Sequence, residues 1–73
     1  MAATVQQEIE MRATEVLAQS SVSDLRQIRV DRTAGKLQLS GRVRSFYHKQ
    51  LAQETVRTVA DGMQVVNHVH VSS

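Results

Sequence analysis

The chain has 73 residues, a formal net charge of +2 at pH 7 and no cysteine. A chain of this length forms one domain, residues 1–73, whose small core leaves no room for a deep catalytic cleft, so we expect a protein that is not an enzyme. The absence of cysteine excludes disulfide bonds, and no apolar segment approaches the roughly 20 residues that span a bilayer.

The charges are segregated along the chain. Residues 1–24 contain four acidic residues and one arginine, a net charge of −3, whereas residues 25–73 contain eight basic and three acidic residues, a net charge of +5. An electrostatic partner is therefore expected to be anionic. The first residues lack the basic and apolar regions of a signal peptide, and the sequence leaves the compartment open.

The first segment has the pattern of an amphipathic helix. Its apolar residues recur mainly at spacings of three and four, which places them on one stripe. The short polar side chains of residues 20–24 compete for backbone hydrogen bonds, so we expect the helix to end near Gln19 and a short loop to follow. The stripe consists of Val5, Ile9, Ala13, Val16 and Leu17.

Two strands joined by a tight turn are predicted next. Ile28 and Val30 alternate with polar residues in segment 25–32, and Gly35 supplies the glycine that a hairpin turn favours. The second strand has Gly41 on its apolar side, which indicates a close contact or a bend, and we expect a helix to lie closely across the strand there. The other apolar residues on that side are Leu37, Leu39 and Val43.

A second helix and a third strand complete the pattern. Ser45 can cap a helix that begins at Phe46, and Gly62 is expected to end it. Residues 63–71 are rich in β-branched side chains, and their alternation predicts a strand. The helical stripe consists of Leu51, Ala52, Thr55, Val56, Val59 and Ala60.

The order of these elements predicts an α+β fold, αββαβ, in which both helices pack on one face of a three-stranded sheet. The connection between the second and third strands is long enough to make them parallel neighbours, which would give a mixed sheet. If the third strand pairs with the first instead, the sheet is wholly antiparallel, and the sequence does not decide between the two pairings. The other sheet face is expected to be exposed to water.

Over residues 5–72 the sequence resembles the BON domain, a small bacterial module. The resemblance rests on the glycine turn before an L-x-L-x-G-x-V strand and on the closing V-x-N-x-V-x-V. It implies the αββαβ fold, a fixed glycine at Gly41 and a non-catalytic role in binding phospholipid or cell-envelope surfaces, often in periplasmic or membrane-attached proteins. The chain departs from the family pattern at residues 60–62, which replace a proline and glycine, and it lacks the usual exported N-terminus.

An aromatic pair with nearby cations forms the first candidate binding surface. Phe46 and Tyr47 open the second helix beside basic residues, an arrangement that suits a membrane interface or an anion. In the alternative interpretation, one of them closes the small core while the other covers its edge. The surface proposed for anionic lipid or an envelope partner consists of Arg42, Arg44, Phe46, Tyr47 and Lys49.

The exposed sheet face offers an alternative surface, formed by Arg29, His68 and His70. Arginine binds phosphate and carboxylate groups, and the two histidines would attract anions more strongly when protonated. The two histidines could also meet one metal ion, but only Asp31 is acidic on this face and the arginines repel cations, so no metal and no cofactor is expected. An ordinary solvated sheet face is the alternative interpretation.

Two further classes of partner are left open by the sequence. Residues 26–49 contain seven basic residues and one acidic residue, enough for a salt-sensitive contact with nucleic acid. No base-stacking aromatic is expected on the exposed face, however, and the acidic first helix opposes such a contact. A protein partner or a second copy could instead pair with an exposed strand edge, and the oligomeric state is not specified.

Overall fold

The computed structural model describes residues 4–72, which form three helices and five short strands. Two longer helices, α1 (Val5–Ala18) and α3 (Phe46–Arg57), are separated by a one-turn helix, α2 (Ser23–Arg26). The predicted α+β class is confirmed. The strands are β1 (Arg29–Thr33), β2 (Lys36–Ser40), β3 (Arg42–Val43), β4 (Gln64–Asn67) and β5 (His70–Val71).

The sheet is mixed, with β2 at its centre, antiparallel to β1 and parallel to β4. The parallel pairing continues beyond β2 without a change of register, since Lys36 pairs with Gln64 and Arg42 pairs with His70. Backbone hydrogen bonds, including one from His70 N to Gly41 O at 2.9 Å, bridge the interruption. Three strands, two of them interrupted, therefore make one surface. Of the two pairings that the sequence left open, the structure has that of the second and third predicted strands.

Helix α1 ends where the sequence predicts, and a pair of side-chain hydrogen bonds caps its start. Thr4 Oγ1 accepts a hydrogen bond from Gln7 N at 3.1 Å, and Gln7 Oε1 accepts one from Thr4 N at 2.8 Å, which satisfies two amide groups at the start of the helix. Gln19 is the C-terminal cap. Of the predicted stripe, Ile9, Ala13 and Leu17 are buried, Val16 is half-buried and Val5 is exposed.

The segment between α1 and β1 differs from the prediction. Residues 23–26 form the helical turn α2 rather than loop and strand, and β1 begins at Arg29 rather than near Leu25. The side chains of Asp24 and Leu25 are both buried from this one turn. Leu25 joins the hydrophobic core, while Asp24 meets polar partners, so tertiary contacts rather than local propensity determine the conformation here.

The hairpin turn is confirmed at Ala34 and Gly35. Their φ angles are +52° and +75°, the two positive values that a two-residue turn of this hand requires. The turn sets the register of β1 and β2, in which Arg29 lies opposite Ser40 and Val30 lies opposite Leu39.

The expectation of a helix over Gly41 is wrong. A Cβ at this position would lie 3.2 Å from Gln27 O and 3.4 Å from Ile28 Cα, which belong to the backbone that leads into β1. The φ of Gly41 is +132°, a conformation that favours glycine. Gly41 therefore bends the chain between β2 and β3, close to the backbone that leads into β1. This agrees with the bend that the sequence indicated as an explanation for the glycine.

Helix α3 begins as predicted but ends earlier. Ser45 Oγ accepts a hydrogen bond from His48 N at 3.2 Å, and the helix ends at Arg57 rather than near Gly62. Beyond Arg57 the chain continues in tighter turns, with a hydrogen bond from Val59 N to Val56 O at 3.0 Å. Gly62, with φ +88°, ends this turn region and not the helix itself.

The core lies between the helices and one face of the sheet. β2 contributes its two inward leucines, which are fully buried, and the helices contribute small and branched side chains that let them pack close together. The opposite face of the sheet carries the polar residues, as predicted. The buried apolar residues are Ile9, Ala13, Leu17, Leu25, Ile28, Val30, Leu37, Leu39, Val43, Ala52, Val56, Ala60 and Val69.

Candidate functional site

Both aromatic side chains at the start of α3 face solvent. Phe46 is 61% exposed and Tyr47 is 66% exposed. They are the only aromatic residues of this kind in the chain, which has one phenylalanine, one tyrosine and no tryptophan. The alternative in which one of them closes the core is wrong. The folded state therefore lacks the stabilisation of roughly 2 kcal/mol that burial of each large apolar side chain would contribute.

A buried carboxylate lies beneath this start of α3. Asp24 Oδ2 accepts hydrogen bonds from Arg44 N at 2.8 Å and from His48 Nδ1 at 3.0 Å, and Asp24 Oδ1 accepts one from Arg44 Nε at 3.2 Å. Asp24 is 8% exposed and is the buried charged residue of the part of the chain that the structure describes. It joins α2 to the segment between β3 and α3 and to the first turn of α3.

These donors lower the pKa of Asp24 below its ordinary value of 3.8. The largest cause is the hydrogen bond from the Arg44 backbone amide, with the His48 ring and the Arg44 guanidinium acting in the same direction. Burial acts in the opposite direction and is outweighed. Asp24 is therefore negatively charged at neutral pH, and it neutralises part of the positive charge of Arg44.

Sequence reasoning missed Asp24. The residue stands in a segment of serines, where an aspartate is an ordinary turn residue. Its partner Arg44 lies 20 positions further along the chain. The local sequence does not predict this pair. The nearest signal is the apolar Leu25, which directly follows Asp24 and could bring this segment into the core.

The five residues predicted for the lipid surface do not all lie together. Phe46, Tyr47 and Arg44 meet at the start of α3, and Lys49 is half-buried in the second turn of that helix. Arg42 instead belongs to β3, where it pairs with His70 of β5 on the exposed face of the sheet. We call Phe46, Tyr47, Arg44 and Lys49 the aromatic surface.

The strand register places the three residues of the alternative surface close together and adds Arg42 to them. Arg29 lies opposite Ser40, and the parallel register places His68 on the other side of Ser40. Arg42 and His70 form the next row. All four basic side chains are exposed, and we call Arg29, Arg42, His68 and His70 the sheet-face cluster.

A single asparagine interrupts the outer strand of the sheet. Asn67 Nδ2 donates hydrogen bonds to Lys49 O at 2.9 Å and to Gln53 Oε1 at 3.3 Å, and Asn67 Oδ1 accepts one from Val69 N at 3.1 Å. The amide of Val69 would otherwise point outward along the sheet edge. Asn67 thus ties the strand to α3 and covers one of the edge donors that a partner strand would use.

The described residues contain no feature that indicates a metal site or a membrane span. Among residues 4–72, no group of three or more histidine, aspartate or glutamate side chains is placed to hold a metal ion. Within the same range, no helix is both long enough and apolar enough to cross a bilayer. A polar depression of about 230 Å³ beside α3 is lined by Gln50, Gln53 and Glu54.

The domain is a small mixed sheet covered on one face by helices, with an exposed aromatic pair at the start of α3 and basic side chains on the open face. Residues 4–73 match the BON domain, and the chain belongs to the BON domain family. This family comprises non-catalytic domains of the binding type. Comparison with curated proteins finds no match to this chain.

Proposed function

We propose that this BON domain binds anionic phospholipid at a membrane or cell-envelope surface through the aromatic surface. The observation that carries the proposal is the exposure of both Phe46 and Tyr47 at the start of α3. Membership of the BON family supports it, because these domains are regarded as phospholipid-binding or membrane-binding modules.

The chemistry of the aromatic surface suits the boundary between lipid headgroups and acyl chains. Phenylalanine and tyrosine rings enter this layer, while flanking cations meet the phosphate groups. Asp24 engages Nε of Arg44, whose side chain is 76% exposed, so the terminal nitrogen atoms of that guanidinium are left for a ligand, and Lys49 adds a second charge. These contacts attach the domain without spanning the bilayer.

The charge distribution favours one orientation on an anionic surface. Helix α1 carries Glu8, Glu10 and Glu15, and of these Glu10 is paired with Arg32 at 3.3 Å. A negative surface repels this helix and attracts the basic second part of the chain. The domain is therefore expected to turn α1 away from the membrane.

The test is cosedimentation with vesicles of phosphatidylglycerol or phosphatidylcholine at low and high salt. The double variant Phe46→Ser with Tyr47→Ser removes both rings and is expected to weaken binding to phosphatidylglycerol about tenfold or more, since each ring contributes roughly 1 kcal/mol or more on insertion. High salt is expected to weaken wild-type binding.

The matched control also replaces two exposed apolar side chains by serine. Val5 and Met11 on α1 are 66% and 65% exposed, close to the values for the aromatic pair. The variant Val5→Ser with Met11→Ser is expected to bind like the wild type. Equal binding by the aromatic variant and the wild type would show that the rings do not carry the interaction.

Charge reversal at Arg44 is an unsuitable test of this surface. An Arg44→Glu variant would place a second carboxylate beside Asp24 and disturb the start of α3. Lys49→Gln removes one positive charge of the aromatic surface without touching Asp24, and a moderate loss of binding is expected from it.

A protein partner at the sheet edge is less well supported. Of the two edge strands, β4 is only four residues long, and Asn67 covers the Val69 amide that follows it, while β1 is five residues long. Short or locally interrupted edges resist strand addition. A mass in solution that depends on protein concentration in the absence of lipid would identify a second copy at this edge.

A further inference from the structure

We propose that the sheet-face cluster is a second binding site, for phosphate groups, and that its affinity rises as the pH falls from 8 to 5.5. This site goes beyond the proposed function, because it lies on the open face of the sheet and uses none of the residues of the aromatic surface. Its members are Arg29, Arg42, His68 and His70.

The strand register assembles the site from residues that are far apart in sequence. Ser40 lies at the centre of one row, with Arg29 on β1 and His68 after β4 as its neighbours. Arg42 and His70 form the adjacent row. Neighbouring strands are about 4.8 Å apart and alternate residues of one strand about 7 Å apart, so these side chains can surround one phosphate group.

The chemistry of the four side chains and the hydroxyl group is that of an anion site. Guanidinium groups bind phosphate with paired N–H donors, and imidazole rings and a serine hydroxyl add further donors. Arg42 forms no ion pair with any other residue in the range 4–72. No carboxylate therefore competes with a ligand for Arg42, whereas Arg44 is paired with Asp24 through Nε.

The neighbours of the two histidines determine the direction of the pH dependence. From β1 they face Arg29 and, one row further, Asp31, whose Oδ1 is 3.7 Å from Arg29 Nε. From β3 they face Arg42. Both rings are exposed, and histidine is the side chain whose charge changes near physiological pH. Each proton adds a positive charge to the cluster, so an anion is bound more tightly at low pH.

The first experiment titrates the labelled protein with dimethyl phosphate at constant ionic strength and follows NMR shifts at pH 8 and pH 5.5. A phosphodiester is the appropriate probe because its own charge does not change in this range. We expect shifts at Ser40, Arg42, His68 and His70, with affinity about fivefold higher at pH 5.5, the effect of two additional exposed ion pairs.

Two variants locate the effect. His68→Gln with His70→Gln keeps polar side chains but removes both titrating groups, and it is expected to abolish the difference between the two pH values. Arg42→Gln is expected to weaken binding at both pH values, whereas Arg57→Gln, the same change in the last turn of α3, is expected to have no effect.

A second arm identifies the source of the phosphate group. Phosphatidylglycerol vesicles are added at pH 5.5 to the Phe46→Ser, Tyr47→Ser variant with and without the two histidine substitutions. If dimethyl phosphate changes the NMR shifts of the sheet-face cluster, a soluble phosphate is sufficient as the ligand. If only vesicles bind, and the histidine substitutions abolish this binding, the site binds a lipid headgroup. Shifts spread over all basic residues, or a pH dependence that survives the histidine substitutions, would overturn the proposal. Neither result bears on binding by the aromatic surface at pH 8.

Discussion

The start of α3 and the neighbouring end of the sheet face use their positive charges differently. Arg44 is held by the buried carboxylate of Asp24, and its backbone and side chain help to fix α3. Arg42, two residues earlier, lies on the open sheet face beside His70. Two arginines that look equivalent in sequence therefore have different surroundings, because only Arg44 pairs with a buried charge of opposite sign.

The comparison also shows how the exposed aromatic pair is supported. Asp24 and Ser45 satisfy polar groups at the start of α3, so that the helix begins at a defined point without help from the rings of Phe46 and Tyr47. The rings are then free to contact a partner. On the sheet face the strands themselves provide the rigid support.

The largest effect on stability is expected at the bend at Gly41, which precedes both arginines. Gly41→Ala introduces strain at φ +132° together with a Cβ 3.2 Å from Gln27 O, and we expect the free energy of unfolding to fall by about 2–3 kcal/mol. Larger side chains such as valine should act in the same direction. The measurement is urea denaturation.

Gly62→Ala is the matched control for this prediction. Gly62 also has a positive φ, of +88°, but nothing lies within 4 Å of the point that a Cβ would occupy, so strain alone lowers the stability of this variant, by about 1 kcal/mol. Equal losses for the two variants would mean that the contact with the backbone before β1 is unimportant.

A somewhat smaller loss is expected at the outer strand. Asn67→Ala removes three hydrogen bonds and leaves the amide of buried Val69 without its side-chain partner, for a loss of about 2 kcal/mol in unfolding free energy. The same variant uncovers the sheet edge. We therefore expect its mass in solution to become concentration-dependent, and an unchanged stability would contradict the role given to Asn67.

Asp24→Asn tests the buried charge through the pH dependence of stability. Because the pKa of Asp24 is lowered in the folded protein, its contribution is present above its ordinary value of 3.8 and is lost as the pH falls through the lowered value. The variant is expected to be less stable than the wild type at pH 7 and to lose less stability between about pH 5 and about pH 2.

Asp31→Asn provides the comparison for that acid titration. Asp31 is exposed on the sheet face and its only ion pair, among residues 4–72, is with exposed Arg29. We expect its unfolding midpoint in urea to follow the wild type at every pH. An Asp24→Asn variant with the same acid dependence as the wild type would exclude Asp24 as the source of the effect.

The smallest effect on stability is expected for the arginine of the sheet face. Arg42→Gln should change the unfolding free energy by less than about 0.5 kcal/mol, because no ion pair within the described range is lost. Arg44→Gln should lower the unfolding midpoint, since it removes a partner of Asp24. Identical midpoints for the two variants would remove the distinction between the regions.

Local signals predicted much of the fold. The cap at Ser45 fixes the start of α3, and Gly35 fixes the hairpin turn. Each of these features depends on residues within a few positions of one another. The alternating pattern of the strands likewise identified the buried face of β2, because one side of a sheet covered by helices must be apolar.

Features that depend on distant partners were missed or misassigned. Asp24 of helix α2 contacts Arg44 and His48 across the fold, and the Cβ of any other residue at position 41 would lie against the backbone near Gln27. No pattern within a short window contains these contacts. The same reason explains why the sequence does not distinguish Arg42 from Arg44, since the contact of Arg44 with Asp24 joins residues 20 positions apart.

The most direct test of the proposed lipid surface is residue-by-residue NMR of the labelled protein with bicelles. Phosphatidylglycerol and phosphatidylcholine bicelles are compared at pH 8, at low and high salt. We expect changes centred on residues 44–49, present with phosphatidylglycerol and weakened by salt. Changes centred elsewhere, or none in any condition, would contradict binding of anionic phospholipid through the aromatic surface.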